Sequence, residues 1–276
     1  MSSATQYPFA PVFPLDWTAT APGTGSKTVL PLGQVGLSGE TPVPVIPTPT
    51  DYWPLDEAAD AVRVPTRGGW NMGGTGVAAM AGLDGGNAAV LIRNYGAAYQ
   101  MYGTHTKVFQ GQTSAALSFW LRYVSTPWGG NIFDENPSTV NFRIRRGLSG
   151  GNIVFLVLAK AAGDATLYEA AGTTIPVADT WYHLFVAVYG GNLYIYVDGA
   201  EEGSVALPGG IYDDGDDYIG WRVASSSVSY FEHAIEAPAI WAPMTGIADK
   251  AALDAMVADL YNAGAGKFWT LGGGWA

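Results

Sequence analysis

The 276-residue chain carries a formal net charge of −11, has 13% charged residues, about half the usual share, and contains no cysteine. A nucleic-acid backbone demands clustered lysine and arginine, so this balance argues against such a partner, and without cysteine there is no disulfide framework, thiol nucleophile or cysteine-held zinc. No run approaches the roughly 20 apolar residues of a membrane-spanning helix, and so little charge beside 13% aromatic residues suggests a surface partly covered by another molecule.

Residues 7–17, "YPFAPVFPLDW", interrupt an apolar stretch with Pro8, Pro11 and Pro14, which an export signal with an unbroken apolar core would not do. Nine of the 17 prolines precede residue 50, ending in "TPVPVIPTPT" at 41–50, where proline favours extended polyproline II geometry. Residues 1–50 therefore read as an extended, Pro-rich N-terminal arm or spacer. A free tail ordinarily lacks large apolar side chains, so Tyr7, Phe9, Phe13 and Trp17 are expected to dock. The sequence leaves open whether they dock on this chain or on a neighbour.

A single large domain is expected over 51–276, with 265–276 as its tail. From residue 115 onward, "ALSFWLRYV", "VNFRIRRG" and "NIVFLVLA" are short β-branched and aromatic runs between Gly, Pro, Asn and Ser clusters, the signature of strands. In "TWYHLFVAVYGGNLYIYVDG" at 180–199, Gly190-Gly191 supplies a tight hairpin turn. That turn sets Val188 opposite Leu193, Val186 opposite Ile195 and Leu184 opposite Val197. The other face, with Phe185, Tyr189, Tyr194 and Tyr196, is also expected to be covered, and Asp198-Gly199 makes a second turn. Near the end, Leu253, Met256, Val257, Leu260 and Tyr261 recur at helical spacing and predict one amphipathic helix, with Gly264 as its cap.

These segments resemble a known family. "DTWYHLFVAVYGGNLYIYVDG", "DDYIGW", "AIEAPAIW" and "LYNAG", preceded by "YWPLDEAADAVRVPTRGG" and "GGNAAVLI", are similar, in that order, to the motifs of laminin-G-like, concanavalin A-like (pentraxin-related) jelly rolls. The resemblance spans roughly 51–264 and implies an all-β sandwich of two antiparallel sheets, binding glycans or proteins at its rim and concave face, often with calcium. One departure is Pro238, where an apolar strand residue is usual. Proline cannot donate to a ladder, so that strand is either an edge or bulged.

Some relatives of this fold hydrolyse β-glucans through a Glu-x-Asp-x-x-Glu strand, and nothing in this sequence matches it. Asp134-Glu135 and Asp56, Glu57 and Asp60 have other spacings and read as turn or surface residues. His105, His183 and His233 sit in no nucleophile or metalloprotease motif, and His183, within a strand, reads as structural. The chain is thus expected not to be an enzyme and to need no cofactor. Asp213, Asp214, Asp216 and Asp217 in "YDDGDDY" are the candidate calcium ligands, although a solvated turn is the favoured reading.

For ligand contact, Trp128 stands in a loop between Pro127 and Gly129, and Arg122, Arg143 and Arg145 occupy alternating strand positions that would give a basic stripe. Two functions follow. One is a structural and recognition protein of an assembled particle, such as a phage capsid-decoration or tail protein at the virion surface, self-associating through its arm. The other is an extracellular glycan-binding lectin module.

Overall fold

The computed structural model describes residues 46–276 except 59–60, 63, 69–70, 76, 84, 92–99, 104–107, 126–129, 136–140, 164–165, 213–218, 223–231 and 271–272. The first strands are short: β1 (Asp51–Tyr52), β2 (Gly73–Thr75), β3 (Val77–Ala81), β4 (Asn87–Leu91) and β5 (Gln100–Gly103). Longer ones follow as β6 (Ala115–Ser125), β7 (Gly130–Glu135), β8 (Phe142–Ser149), β9 (Asn152–Lys160) and β10 (Leu167–Ala171). The last group is β11 (Trp181–Tyr189), β12 (Asn192–Val197), β13 (Ala200–Ala206), β14 (Ile219–Arg222) and β15 (Glu232–Trp241), and helix α1 (Lys250–Tyr261) comes after it.

Two antiparallel sheets form a sandwich of the jelly-roll type. An eight-stranded sheet runs β13-β12-β11-β6-β15-β4-β3, with β1 added on β15, and a seven-stranded sheet runs β10-β9-β8-β7-β14-β5-β2. The period-two alternation of each strand explains the layering. Leu117, Phe119 and Leu121 of β6, Leu184, Val186 and Val188 of β11, and Phe142, Ile144, Phe155 and Val157 of β8 and β9 share one buried cluster between the sheets. The hairpin register is as expected, with Leu184 opposite Val197, Val186 opposite Ile195 and Val188 opposite Leu193. Gly190 and Gly191 turn the chain at φ 57° and 77°, and Asp198-Gly199 do so at 51° and 82°.

At one side the two sheets nearly touch. A Cβ on Gly203 of β13 would lie 2.1 Å from the Ala171 carbonyl oxygen, so only glycine allows the approach. There the Glu202 carboxylate accepts the amides of Thr173 (2.8 Å) and Thr174 (3.0 Å) and the Thr174 hydroxyl.

The outward face of the eight-stranded sheet is covered by the chain itself. Phe185, Tyr196, Ala239 and Trp241 pack with Leu253, Met256, Val257 and Leu260 of α1 in a second buried cluster. Each of the large side chains among them gains about 1.5–3 kcal/mol from burial. Polar tips find partners: the Tyr196 hydroxyl donates to Asp254 (2.8 Å) and the Tyr189 hydroxyl to the Ile247 carbonyl (3.2 Å). The helix starts at Asp249, whose carboxylate accepts the Ala252 amide (2.8 Å), an N-cap that satisfies an orphan donor. It ends at Asn262 in the left-handed region, φ 47°. Gly264 is therefore not its cap, because asparagine tolerates that conformation and stops the helix two residues earlier.

Residues 268–270 pair back on residues 274–276. Phe268 and Ala276 exchange backbone hydrogen bonds of 3.0 Å, and Trp275 stacks on Trp241 with ring centroids 5.8 Å apart. The compact unit runs Val43–Ala276, so it takes in the last Pro-rich residues. Ile46 and Pro49 are buried while Thr48 and Thr50 are exposed, and the Thr50 amide donates to the Ile240 carbonyl (2.6 Å).

Of the two readings of Pro238, the bulge is the one found. β15 lies between β6 and β4, and its register on β6 shifts between Glu236 and Ala239. Ala237 takes φ 52°, and the Pro238 carbonyl accepts the Trp53 amide (3.1 Å).

Candidate functional site

In β8 the inward residues are Phe142 and Ile144, so Arg143 and Arg145 face out from the seven-stranded sheet. Arg145 Nη2 reaches Glu169 Oε2 at 3.2 Å, across the intervening strand β9. Both side chains stay open to water, 38% and 37% exposed. Beneath them Val154, Leu156 and Leu158 make a separate buried aliphatic strip with Ala171 beside it. In the ladder Arg145 stands between Asn131 and Leu156, and Arg143 between Asp134 and Leu158. Gly147 keeps the row close: a Cβ there would meet Leu156 Cδ1 at 2.6 Å and Arg145 Nε at 3.4 Å.

The patch offers both donors and acceptors to solvent. A guanidinium offers only donors and a carboxylate only acceptors. A solvent-contacting Arg145–Glu169 pair therefore presents both kinds side by side, the combination that vicinal hydroxyls can bridge. The ion pair itself contributes about 0.2–1 kcal/mol to stability, since exposed pairs are well screened.

Arg122 is elsewhere. It lies in β6 of the eight-stranded sheet, opposite Trp181 and Ala234, and pairs with Asp179 at 3.2 Å, in the turn whose amide donates to the Tyr123 carbonyl (2.6 Å). The expected basic stripe thus divides, because alternation along a strand assigns a face and not a sheet. Arg122 fastens a loop, while Arg143 and Arg145 stay together. Asp134 and Glu135 stand in strand β7 and not in a turn. Trp128, His105, the acidic quartet Asp213, Asp214, Asp216 and Asp217, and the arm residues Tyr7, Phe9, Phe13 and Trp17 lie outside the described residues. Among the described residues, no group of three or more His, Asp or Glu could hold a metal ion, and no helix is long and apolar enough to cross a membrane.

His183 is fully buried and held by position. Its ring sits 5.1 Å from Trp120 and 6.3 Å from Tyr261, and Nε2 meets the Ser118 hydroxyl at 2.8 Å. Burial drives its pKa down to about 3, so it is neutral at ordinary pH. Its amide donates to Asp198 (2.8 Å), whose own pKa burial raises. Two polar residues escaped the sequence reading. Glu169 was visible in principle as the outward residue of "LYEAA". Arg146 follows the alternation of Phe142 and Ile144 and so is a charged residue on the inward face, its guanidinium 4.1 Å from the centre of the Tyr123 ring.

A sequence profile of the concanavalin A-like lectin/glucanases superfamily matches residues 95–243. Among solved structures, the binding domain of Paraclostridial mosquitocidal protein 1 superposes with a TM-score of 0.59 at 13% identity, over 78% of this chain and 52% of that one. Domain 4 of the extracellular arabinanase from Geobacillus stearothermophilus, in complex with arabinotriose, gives a TM-score of 0.54 at 17% identity, over 77% and 97%. The binding domain of botulinum neurotoxin DC in complex with SialylT gives 0.54 at 14%, over 76% and 52%. At these identities the likeness is one of fold, and the chain spans about half the length of the two toxin domains. No curated protein matches it.

Proposed function

The chain belongs to the concanavalin A-like lectin/glucanases superfamily, and on that premise we propose that it is a non-catalytic recognition protein that binds glycans on the outward face of its seven-stranded sheet. The observation that carries this reading is the solvent-contacting Arg145–Glu169 pair beside Arg143, on the sheet whose outer face α1 leaves uncovered. Arabinotriose and SialylT in the complexes of two fold relatives support a saccharide as the ligand class. The test is a glycan array followed by titration calorimetry. Binding to a defined saccharide should fall about tenfold in Arg145→Ala and in Arg143→Ala with melting temperature unchanged. Absence of array binding by folded protein overturns the reading.

A second reading concerns the setting of that module: a structural protein of an assembled particle, such as a phage virion surface. The low charge and the aromatic, Pro-rich first 50 residues favour it. Tyr7, Phe9, Phe13 and Trp17 would then dock on a neighbouring copy, with little entropy to lose because proline presets the backbone. Phe9→Ala/Phe13→Ala/Trp17→Ala should abolish association in light scattering while leaving the melting temperature in place. The reverse pattern would mean packing within one chain. EDTA should alter stability little, and a large calcium-dependent rise in melting temperature traced to Asp213, Asp214, Asp216 and Asp217 would contradict that expectation.

A further inference from the structure

Two indole N–H groups converge on one peptide carbonyl in the second core. Trp241 Nε1 and Trp275 Nε1 both donate to the Pro47 oxygen, at 3.0 and 3.3 Å. The two rings are stacked at 22°, and Tyr52 meets Trp275 edge-on at 6.0 Å. Arg67 Nε takes the next proline carbonyl, that of Pro49. Ile46 and Pro49 are buried and Thr48 is exposed, the spacing of one face of a polyproline II helix with three residues per turn. Aromatic plates with donors aimed at proline carbonyls are how extended proline segments are read by protein grooves. What the slot contacts is an apolar side chain followed by a proline carbonyl.

The pattern Pro-Val-apolar-Pro that contains Ile46-Pro47 occurs twice in the sequence. Pro44-Val45-Ile46-Pro47 reappears as Pro11-Val12-Phe13-Pro14, with the larger, aromatic Phe13 standing where Ile46 stands. Among the described residues there is one such slot, filled by Ile46-Pro47, and the sequence has one such motif left over. We propose that the slot of Trp241, Trp275, Tyr52 and Arg67 is a polyproline-reading site, and that its alternative occupant is the Pro11–Pro14 motif of a second copy of this chain. This rests on the arm-docking reading above and gives that arm a receptor. The exchange replaces like with like, so it costs little, and Phe13 offers the slot a larger apolar surface than Ile46. The roughly 30 residues between the two motifs reach about 100 Å when extended, enough to bridge neighbouring copies. Held at a high local concentration within a particle, the exchange is favoured by mass action.

The experiment uses the full chain with Ile46→Asp, which expels the resident ligand, and a synthetic peptide of residues 8–16, which contains no tryptophan. The fluorescence of the chain's tryptophans reports binding. The peptide should saturate the Ile46→Asp chain at least tenfold more tightly than the parent. A peptide with Phe13→Ser should fail to bind, and Trp275→Phe, which keeps a ring and loses one donor, should weaken binding about tenfold. A folded Ile46→Asp chain that takes up no peptide, or takes both peptides equally, overturns the proposal. Should Ile46→Asp fail to fold, sedimentation of the full chain decides: Phe13→Ser and Trp275→Phe must each lower self-association by about tenfold. Association lost in the Phe9/Phe13/Trp17 triple variant but retained in Trp275→Phe sinks the slot and leaves arm assembly standing. A parent that stays monomeric at every concentration removes both.

Discussion

On the eight-stranded sheet the outward residues Phe185, Tyr196 and Trp241 lie under helix α1 and the C-terminal residues, whereas on the seven-stranded sheet the outward Arg145 and Glu169 stay in contact with solvent. Both faces arise from the same alternation. They differ in what the alternate positions hold, and the aromatic face is closed by the chain's own last residues because exposed rings are costly. A face that the chain covers carries stability; a solvent-contacting ion pair can carry recognition, since removing it costs the fold little.

Mutation should separate the two faces by size of effect. Trp241→Ala, which empties a site 1% exposed, should cost about 3–5 kcal/mol in denaturant unfolding, and a loss below about 1.5 would mean the outer layer is not a true core. Next, a chain beginning at Asp51 should be about 3 kcal/mol less stable than one beginning at Ile46, because the apolar burial of Ile46 and the bonds to Pro47 and Thr50 go together. Equal stability of the two truncations would place the boundary at residue 50.

His183 tests the covered face by pH. Its folded pKa, about 3, lies below the ordinary 6.5, so the neutral form's contribution is full above pH 6.5 and is lost as pH falls towards 3. The unfolded chain gains a proton there that the folded one refuses, at a cost of about 1.4 kcal/mol per pH unit. His183→Gln should flatten that slope between pH 6 and 4, and an unchanged slope would assign the acid sensitivity to other groups. Asp249→Ala, removing the helix cap, should cost about 1 kcal/mol, read from the melting temperature. Smallest of all, Arg145→Ala should change stability by no more than about 1 kcal/mol. A larger loss would make the open face structural and weaken the contrast between the two.

Short-range signals were the legible ones. Gly190-Gly191 by itself sets the β11–β12 register, and the spacing of Leu253, Met256, Val257 and Leu260 marks the helix, because both depend on residues adjacent along the chain. Asp249 is legible as a cap for the same reason, an acidic N-cap residue directly before the periodic run. Strands β2 to β4 were harder, since "GGT", "VAAMA" and "NAAVL" are built from glycine and alanine, which carry little strand preference. The division of Arg122 from Arg143 and Arg145 was illegible, because sheet membership is set by strand order. The same holds for the C-terminal residues. "KFWTLGGGWA" reads as a tail until Trp241 and Tyr52 supply the surface on which Trp275 packs.

The bulge in β15 also acts as a phase shift. Counted from Ile235, which points between the sheets, strict alternation would send Trp241 inward and Ile240 outward. Three residues from Glu236 to Ala239 span two on β6, which resets the count, so that Ile240 enters the inner layer and Trp241 the outer one. Everything downstream of Pro238 is out of frame with everything upstream. Deleting Ala237 would make the strand regular and leave Ile240 inward and Trp241 outward, whereas straightening the bulge with every residue kept would exchange those two side chains between layers, and Trp275 and the Pro47 carbonyl would lose the ring they share; one inserted residue decides which layer of the molecule owns that tryptophan.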